Sequence, residues 1–503
     1  SVQNQLTTAS TATLLATGNV TVSSAISNST SGAGLTLTST AGNVSNAASS
    51  TISVAGDLRV NAINITAGAN LNTSGGKIVL KASGIITVNS SVEVQTNGAD
   101  LVLWANSAGG SGRIHVQQNA CLNTNGSCLN DPSTKAGSIY LGGGSGDGDI
   151  PPGPVSTSEK MEGILLGSNN EHDGYLTGGV KILSGSGDIS LNSESALAQG
   201  IRVNHPATIN ATTGGISIRG KTSQSDTAET FTALIFSSGQ SGSTSTISSG
   251  KISGTAIAIT GIRTGNPNRN GVSIANQNTT IEATGGGNVA ITSQDQGSTV
   301  NSSINLSSTS ITTVASGEVS LNAPGTINLA SSSINAAADG DIESISSSFS
   351  NTGSITSNNG NVLLKADSVN LGSTVSATSG VVTIAPSSIA REIDLGSEAS
   401  GKLSLTSTEI NRIQAGTLRI GELNGNNTGA INVSATIAPT GTSTLAIRTD
   451  GAVSGTGSIT EVNLAIDAAS INLPGGNQIS GGLALNATAV TYTQTLSEFT
   501  PRT

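Results

Sequence analysis

The chain has 503 residues, of which only 10% are charged and 2% aromatic, while 64 are glycine. So few aromatic side chains exclude several ordinary globular cores, and the 35% of hydrophobic residues excludes a disordered chain. The net charge of −10 offers no cationic surface to nucleic acid. Since no apolar run reaches the ~18 residues that a bilayer span needs, the sequence predicts no membrane insertion.

A short phrase recurs along the chain, consisting of Gly, one further residue, and then an apolar-polar-apolar or similar triplet. Two apolar positions separated by one residue are typical of a very short β-strand. The copies, in chain order, begin at Gly18, Gly56, Gly76, Gly187, Gly287, Gly317, Gly360, Gly380, Gly401 and Gly416.

The spacing of these phrases is close to constant. The first apolar positions Leu58, Ile78 and Leu101 are separated by 20 and 23 residues. A later series has separations of 23, 20, 20 and 21 residues and consists of Val319, Ile342, Val362, Val382 and Leu403. A period of about 20 residues that holds two or three short strands indicates a solenoid.

The predicted fold is therefore all-β, a parallel β-helix (β-solenoid) with about 20 residues per coil and with loop excursions. Strands of three to five residues are unstable alone, and coiling lets equivalent strands pair in parallel. Inward Val, Ile and Leu then stack on the same residue types one coil away. Asn and Ser at turns can form side-chain hydrogen-bond ladders between coils.

Two stretches interrupt the rhythm. Residues 105–178 hold both cysteines and the Pro151–Pro154 segment, and residues 220–250 are rich in Ser and Thr. We interpret both as excursions from the coils, the first with interleaved strands. The predicted organisation consists of β-helix coils over residues 1–104, the irregular region 105–178, coils over 179–219, the excursion 220–250, and coils over 251–503.

Cys121 and Cys128 are the two cysteines of the chain, and Asn125-Gly126 between them favours a turn. This spacing fits a local disulfide across a loop, which would place the protein in an oxidising compartment. Two reduced thiols in a loop are the alternative. Zinc-site and Cys-x-x-Cys spacings are absent from the sequence.

Candidate ligand-binding residues are few. Asp147 and Asp149 lie in a glycine-rich segment that indicates a mobile, solvated loop, with a single Ca²⁺ site as the alternative. Trp104, Tyr140 and Tyr175 fall in or beside the irregular region, so they could form a shared interaction patch. Packing of the loops onto the coils explains these aromatic residues as well, and we favour that interpretation.

Catalytic signatures are not found in the sequence. Arg113 and His115 alternate with Ile114 and Val116, as expected for a surface strand with a solvated or locally hydrogen-bonded histidine. The sequence has no nucleophile elbow, phosphate loop or zinc motif. We therefore expect no enzymatic activity and no cofactor. The alternative is a polysaccharide lyase or hydrolase, a class of enzyme that parallel β-helices also carry.

The segment from Gly360 to Gly421, with Ile393-Asp-Leu-Gly396 and Ala415-Gly-Thr-Leu-Arg-Ile-Gly421, resembles the filamentous-haemagglutinin-type repeat region of large bacterial two-partner-secretion exoproteins. The resemblance is diffuse over most of the chain and clearest over residues 355–490. It implies a right-handed parallel β-helix, secretion to the cell surface, and an adhesin or biofilm component.

The functional expectation is a secreted, rod-like structural or adhesive segment, or a subunit of an extracellular filament. Its expected partners are itself, by head-to-tail stacking, or a longer parent chain, with host or matrix glycans and proteins as further candidates. Head-to-tail stacking is expected because uncapped coils of a solenoid present open strand edges. The irregular region 105–178 is the stretch in which we expect adhesive residues.

Overall fold

The fold was analysed in a computed structural model, which describes residues 11–126, 128, 135–168, 178–204, 206–223, 232–237, 244–264, 270–275, 278–296, 301–422 and 428–495. Two compact units divide the chain: the first comprises Ser1–Ser302 and Ser307–Thr309, and the second Ser303–Leu306 and Ser310–Thr503. The regular secondary structure of the described residues is almost entirely short parallel strands, and this confirms the predicted all-β parallel β-helix.

The strands of the first unit are numbered β1 to β29 in chain order. They are Ala12–Ala16, Val20–Val22, Ile26–Asn28, Leu35–Ser39, Val44–Asn46, Ile52–Val54, Leu58–Ala62, Ile65–Ala67, Leu71–Thr73, Ile78–Ala82, Ile85–Val88, Glu93–Gln95, Leu101–Trp104, Arg113–Val116, Cys121–Asn123, Ile139–Gly142, Val155–Thr157, Ile164–Leu166, Val180–Ser184, Ile189–Ser195, Ile201–Val203, Ala207–Ala211, Ile216–Thr222, Leu234–Phe236, Thr244–Ser249, Thr255–Arg263, Asn270–Ile274, Asn278–Ala283 and Asn288–Asp295.

Strands β30 (Ser303–Ser307) and β31 (Thr309–Thr313) contain residues of both units. Those of the second unit, β32 to β51, are Val319–Asn322, Thr326–Ala330, Ser333–Ala336, Ile342–Ile345, Ser348–Asn351, Ile355–Ser357, Val362–Lys365, Ser368–Leu371, Val375–Ala385, Arg391–Gly396, Leu403–Thr406, Ile413–Ile420, Thr428–Val433, Thr442–Arg448, Ala452–Ser454, Thr460–Glu461, Asn463–Asp467, Ser470–Ile479, Leu483–Asn486 and Val490–Gln494. One helical turn, α1 (Ser407–Ile410), is present among the described residues.

Three stacks of parallel strands build the first unit, and successive coils contribute one strand to each. The first stack is β1, β4, β7, β10, β13, β16, β20, β23, β26 and β29. The second is β2, β5, β8, β11, β14, β18, β21, β24 and β27. The third is β3, β6, β9, β12, β15, β19, β22, β25 and β28.

The second unit follows the same principle. One stack joins β32, β35, β38, the second half of β40, β43, β45, β48 and β50. Strands β33, β36 and β39 form another. A further sheet pairs β41 with β42 and β44, and continues through β46 and β49 to β51.

The core lies between the stacks and consists of the inward side chain of every second strand position. Leu35, Leu37, Leu58 and Val60 are buried and pair in register with one another. Because side chains alternate across a strand, the residues between them point outward and are polar, as Thr36 and Arg59 are. The core is thus a column of aliphatic side chains one coil apart.

Register confirms most of the predicted spacing. Leu58 pairs with Ile78, Ile78 with Leu101, and Ile342 with Val362. Val319 with Ile342 and Val362 with Val382 complete the predicted set. These pairs show that the first apolar residue of each phrase occupies the same core position in successive coils.

The last predicted step is wrong. Val382 pairs with Leu418, 36 positions further along, whereas Leu403 pairs with Ile393 inside the same coil. The phrases at Gly401 and Gly416 have the same apolar pattern, so spacing alone could not decide which of them continues the stack. The intervening chain instead forms β41, β42 and α1.

Several of the recurring glycines lie where the backbones of successive coils approach each other closely. A Cβ atom added at Gly360 would lie 2.7 Å from the carbonyl carbon of Gly340, which is a clash. Gly340 and Gly380 are in the same situation above Gly317 and Gly360. Since the obstacle is backbone, none of these three glycines has room for a side chain.

Polar ladders tie the turns together, as the sequence predicts. The Oδ1 atom of Asn19 accepts the backbone N–H of Asn43 at 2.8 Å. Asn43 accepts that of Asn64 at 3.2 Å, and Asn64 accepts that of Ile85 at 2.8 Å. Each side chain therefore satisfies a backbone donor one coil further on.

Candidate functional site

The region 105–178 contains strands of the regular stacks. Tyr140 lies on β16, which pairs with β13 and β20, and Arg113 lies on β14, which pairs with β11 and β18. The extra residues are accommodated by long coils: Leu101 pairs with Ile139, 38 positions on, and Ile139 with Ile189, 50 positions on. Strand β24 within 220–250 also belongs to a regular stack.

The glycine-rich segment after β16 folds back on the outer face of the coils, and we call residues 143–154 the strap. Gly143 and Gly153 exchange two backbone hydrogen bonds of 2.9 Å that close it. The indole Nε1 of Trp104 donates to the carbonyl of Gly144 at 2.8 Å. Lys81 Nζ donates to the carbonyl of Gly146 at 2.6 Å and lies 3.9 Å from the centroid of the Trp104 ring.

An ion pair fastens the strap at its far end. Arg59 donates from Nη1 and Nη2 to the two carboxylate oxygens of Asp149, at 2.5 and 3.0 Å. Hydrogen bonding from Arg59 lowers the pKa of Asp149. The segment that we expected to be a mobile, solvated loop is therefore held in place by these six hydrogen bonds, although its glycines would permit many conformations.

Trp104 does not contribute to the aromatic interaction patch that we considered as the less favoured alternative. This side chain is fully buried beneath the strap, where it packs with Val79, Val102 and the partly buried Tyr140. The interpretation that we favoured, loops packed on the coils, describes Trp104 correctly. Tyr175 lies outside the described residues.

The Asp149 carboxylate of the strap is engaged by a cationic side chain of the coils. Both oxygens of Asp149 already accept hydrogen bonds from Arg59. Among the described residues, no group of three or more His, Cys, Asp or Glu side chains could hold a metal ion. The Ca²⁺ alternative for Asp147 and Asp149 finds no support in this geometry.

Cys121 and Cys128 form a disulfide with a Cα–Cα distance of 6.2 Å. Both are buried and pack against Leu183 of the next coil. Lys181 Nζ donates to the carbonyl of Cys128 at 3.0 Å. The bridge thus closes the loop after β15, and the contacts with Lys181 and Leu183 hold that loop against the neighbouring coil.

His115 lies on the outward side of β14, as the alternation predicts, but it is 5% exposed and not solvated. Its Nε2 is 2.8 Å from the carbonyl of Gly167, so this nitrogen carries a proton and donates. Burial lowers the pKa of His115. Beside it, Glu162 pairs with Arg113 at 3.1 Å and with Arg202 at 3.2 Å.

Buried carboxylates of the second unit serve the fold. Asp394 is 2% exposed and accepts hydrogen bonds from Asn432, Ser434 and Ser397 at 2.7, 2.5 and 3.1 Å. Glu409 closes a capping box with Thr406 and also accepts the backbone N–H of Leu371 at 3.0 Å. With these donors in place, neither carboxylate is positioned as a free acid or base.

Open grooves lie on the outer faces of both units. In the second unit a groove of about 490 Å³ has a floor of three alanines in register, Ala446, Ala465 and Ala484, with Arg448 and Asp467 4.0 Å apart at its side. In the first unit a groove of about 240 Å³ begins at Tyr140 and includes Asp188 and Lys251.

Sequence reasoning missed the polar members of the smaller groove. They come from different coils, and only the strand register brings them together: Tyr140 pairs with Ser190, Ser190 with Ser217, and Ser217 with Ala258. The one available signal was Tyr140 itself, an aromatic residue at an outward position.

Comparison with known proteins identifies no relative. No family model matches the chain, and neither the curated proteins nor the solved structures contain a match. Among the described residues, no helix has the length and hydropathy of a membrane span.

Proposed function

We propose that the protein is a non-enzymatic structural segment of an extracellular adhesin or surface fibre. The observation that carries the proposal is the repeated stacking of the chain, because inward positions in both units pair in register from coil to coil. Outward loops such as the strap are held on the coils by hydrogen bonds and ion pairs. Such stacking derives stability from nearest-neighbour coils and suits a protein that spans distance. The resemblance to the filamentous-haemagglutinin-type repeat region points the same way.

The proposed location is outside the cell or on a bacterial surface. The Cys121–Cys128 bridge supports it, because disulfides persist in oxidising compartments and are rare in the cytosol. The oxidation state of Cys121 and Cys128 in protein isolated from its native source tests the proposed location. Mass spectrometry of native material should find both thiols oxidised, and free thiols in native material would contradict the location.

Head-to-tail association of copies is part of the same proposal. Leu483 and Val490 occupy inward positions, in register with the core residues Leu464 and Ile471, yet are 41% and 48% exposed. An apolar coil face of this kind is complementary to a further coil. Electron microscopy should show continuous fibres, and Leu483→Lys with Val490→Lys should abolish them.

The control for that pair is Ala484→Lys with Thr491→Lys, which places the same two charges at the outward neighbours. Dispersed particles of the unmodified protein would contradict self-association. The competing polysaccharide-processing function is tested separately, by incubation with neutral and anionic polysaccharides with and without Ca²⁺. No shortening of any polysaccharide is expected, and robust cleavage would overturn the proposal.

A further inference from the structure

We propose that the groove beside Tyr140 binds a neutral hexose residue of a glycan chain. The inference rests on the adhesive part of the proposed function and names its ligand class. Its site is the 240 Å³ groove of the first unit, whose lining includes Tyr140, Asp188, Ser190, Ser217, Lys251 and Thr255.

The groove exists because the outward side chains of one stack change abruptly in size. Arg59, Val79, Val102 and Tyr140 are paired in register and are large. The next outward positions, Ser190, Ser217 and Ala258, are small. Tyr140 therefore forms an end wall above a floor of small side chains.

The ring of Tyr140 is held in place. One side packs against the buried cluster of Val79, Val102 and Trp104, which the strap covers. The rest of the side chain lines the groove and is partly exposed. An aromatic ring that is fixed before binding offers a stacking face for the C–H side of a pyranose at little entropic cost.

Polar groups of opposite kinds meet in the groove. Asp188 Oδ1 accepts the backbone N–H of Gly215 at 2.7 Å, which orients the carboxylate. Lys251 lines the same groove, and its Nζ lies beyond ion-pair distance of the Asp188 carboxylate. The groove thus presents a hydrogen-bond acceptor, the Asp188 carboxylate, and a hydrogen-bond donor, the Lys251 ammonium group, that are not bonded to each other.

A sugar fits this pair better than a charged ligand does. Each hydroxyl of a sugar both donates and accepts, so neighbouring hydroxyls can donate to Asp188 and accept from Lys251. The hydroxyls of Ser190, Ser217 and Thr255 add further partners. A carboxylated sugar would meet Asp188 at close range and a protein of net charge −10.

Size limits the ligand to one residue of a chain. The 240 Å³ lie below the ~300–1,000 Å³ of sites for drug-sized ligands. The open groove lets a glycan enter and leave along the surface. We expect a Kd on the order of 0.1–1 mM for a single site, which many copies in a fibre would convert into firm attachment.

The test is ligand-observed NMR titration of the full chain with neutral gluco-, manno- and galacto-configured trisaccharides. A trisaccharide of uronic acids serves as the charged comparison. At least one neutral trisaccharide should bind saturably, and the uronic trisaccharide should bind at least 10-fold more weakly. Saturation by none of them up to ~10 mM, or preference for the uronic one, would overturn the inference.

Variants locate the site. Tyr140→Leu keeps an apolar contact with Val102 but loses the ring, and Lys251→Met keeps the stem but loses the charge; each should weaken binding about 10-fold. Tyr140→Phe should retain most of the affinity. Asp188→Asn, which can still accept from Gly215, should weaken binding similarly.

The matched control is Asp341→Asn. Asp341 follows Gly340 as Asp188 follows Gly187, and its Oδ1 accepts the backbone N–H of Asn361 at 2.6 Å, but it lines neither described groove. This variant should bind as the unmodified protein does. Equal loss in Asp341→Asn and Asp188→Asn would show a structural effect and overturn the assignment.

The same spectra keep this inference apart from the proposed function. Cleavage of a trisaccharide would contradict the non-enzymatic proposal, whereas absent binding in a protein that still forms fibres would overturn the groove assignment alone.

Discussion

The coils between Val319 and Ala385 and those between Leu101 and Leu191 have the same interior but differ outside. The first group advances by 23, 20 and 20 residues per coil, the second by 38 and 50. In both groups the inward residues are aliphatic and buried. The difference teaches that the column of inward residues sets the fold, and that extra chain is accommodated outside wherever it finds its own partners.

The largest loss of stability should follow from substitutions of inward core residues, and the loss should be similar in the two groups of coils. Ile342→Ala and Ile139→Ala each remove a side chain that is at most 1% exposed, so each should lower the free energy of unfolding of its coils by about 2–5 kcal/mol. Hydrogen exchange of the adjacent strands, together with denaturant titration, measures this loss.

Glu343→Ala is the control, because Glu343 is the outward neighbour on the same strand. It should change the stability by less than ~0.5 kcal/mol. A much smaller cost for Ile139→Ala than for Ile342→Ala would show that the decorated coils rely on their loops more than on the core.

A smaller loss of stability should follow from substitution of a glycine at which the backbones of successive coils lie close together. Gly360→Ala should destabilise the regular coils by about 1–3 kcal/mol, because its Cβ would press on the backbone of Gly340. Gly18→Ala, with open space around the added atom, should be nearly neutral. Thermal unfolding of the two variants compares them, and equal midpoints would contradict the role given to the stacked glycines.

Loss of the Arg59–Asp149 ion pair of the strap should lower the free energy of unfolding by a still smaller amount. Arg59→Met or Asp149→Asn removes contacts between side chains that are 34% and 41% exposed, so solvent screening limits the loss to less than ~1 kcal/mol. Release of the strap would wet Trp104, the sole tryptophan of the chain, and shift its fluorescence to longer wavelength.

Lys402→Met breaks a surface ion pair of 2.8 Å with Glu392 and should leave the fluorescence unchanged. An unshifted spectrum in both strap variants would mean that the other contacts of the strap suffice to hold it.

The smallest effect concerns pH. Burial lowers the pKa of His115 below its ordinary value of 6.5, so the unfolded state binds the proton more readily than the folded state. Stability should therefore fall as the pH drops below 6.5, and the fall should end below the lowered pKa. The melting temperature is measured at pH 7.5 and at pH 5.5, about one unit on either side of the ordinary pKa of histidine. The decrease in melting temperature between these two pH values should be smaller for His115→Gln than for the unmodified protein. An identical decrease in both proteins would contradict the role given to His115.

The sequence suffices to predict the interior because the information is local. A phrase of five residues marks an inward pair, and its recurrence near 20 residues predicts the register of Leu58 with Ile78 and of Ile342 with Val362. Prediction failed at Leu403, where two phrases competed for one place in the stack.

Contacts on the outer faces could not be predicted in this way. Arg59 and Asp149 are 90 residues apart in the sequence, and Tyr140 and Lys251 belong to different coils. Nothing in the glycine-rich composition of residues 142–148 distinguishes a strap from a free loop. The deciding factor is the shape of the coil surface beneath, which exists only after the coils have stacked.

The ladder of Asn19, Asn43 and Asn64 has a consequence for how such a chain can lengthen. Each asparagine side chain accepts the hydrogen bond of a backbone N–H on the next coil. One residue inserted at such a turn would therefore leave that N–H, and those of the following coils in the ladder, without an acceptor. Turns without a ladder carry no such penalty. Foreign peptides, whether acquired in evolution or grafted as epitopes, should therefore be accepted at the ladder-free corners and rejected at the asparagines.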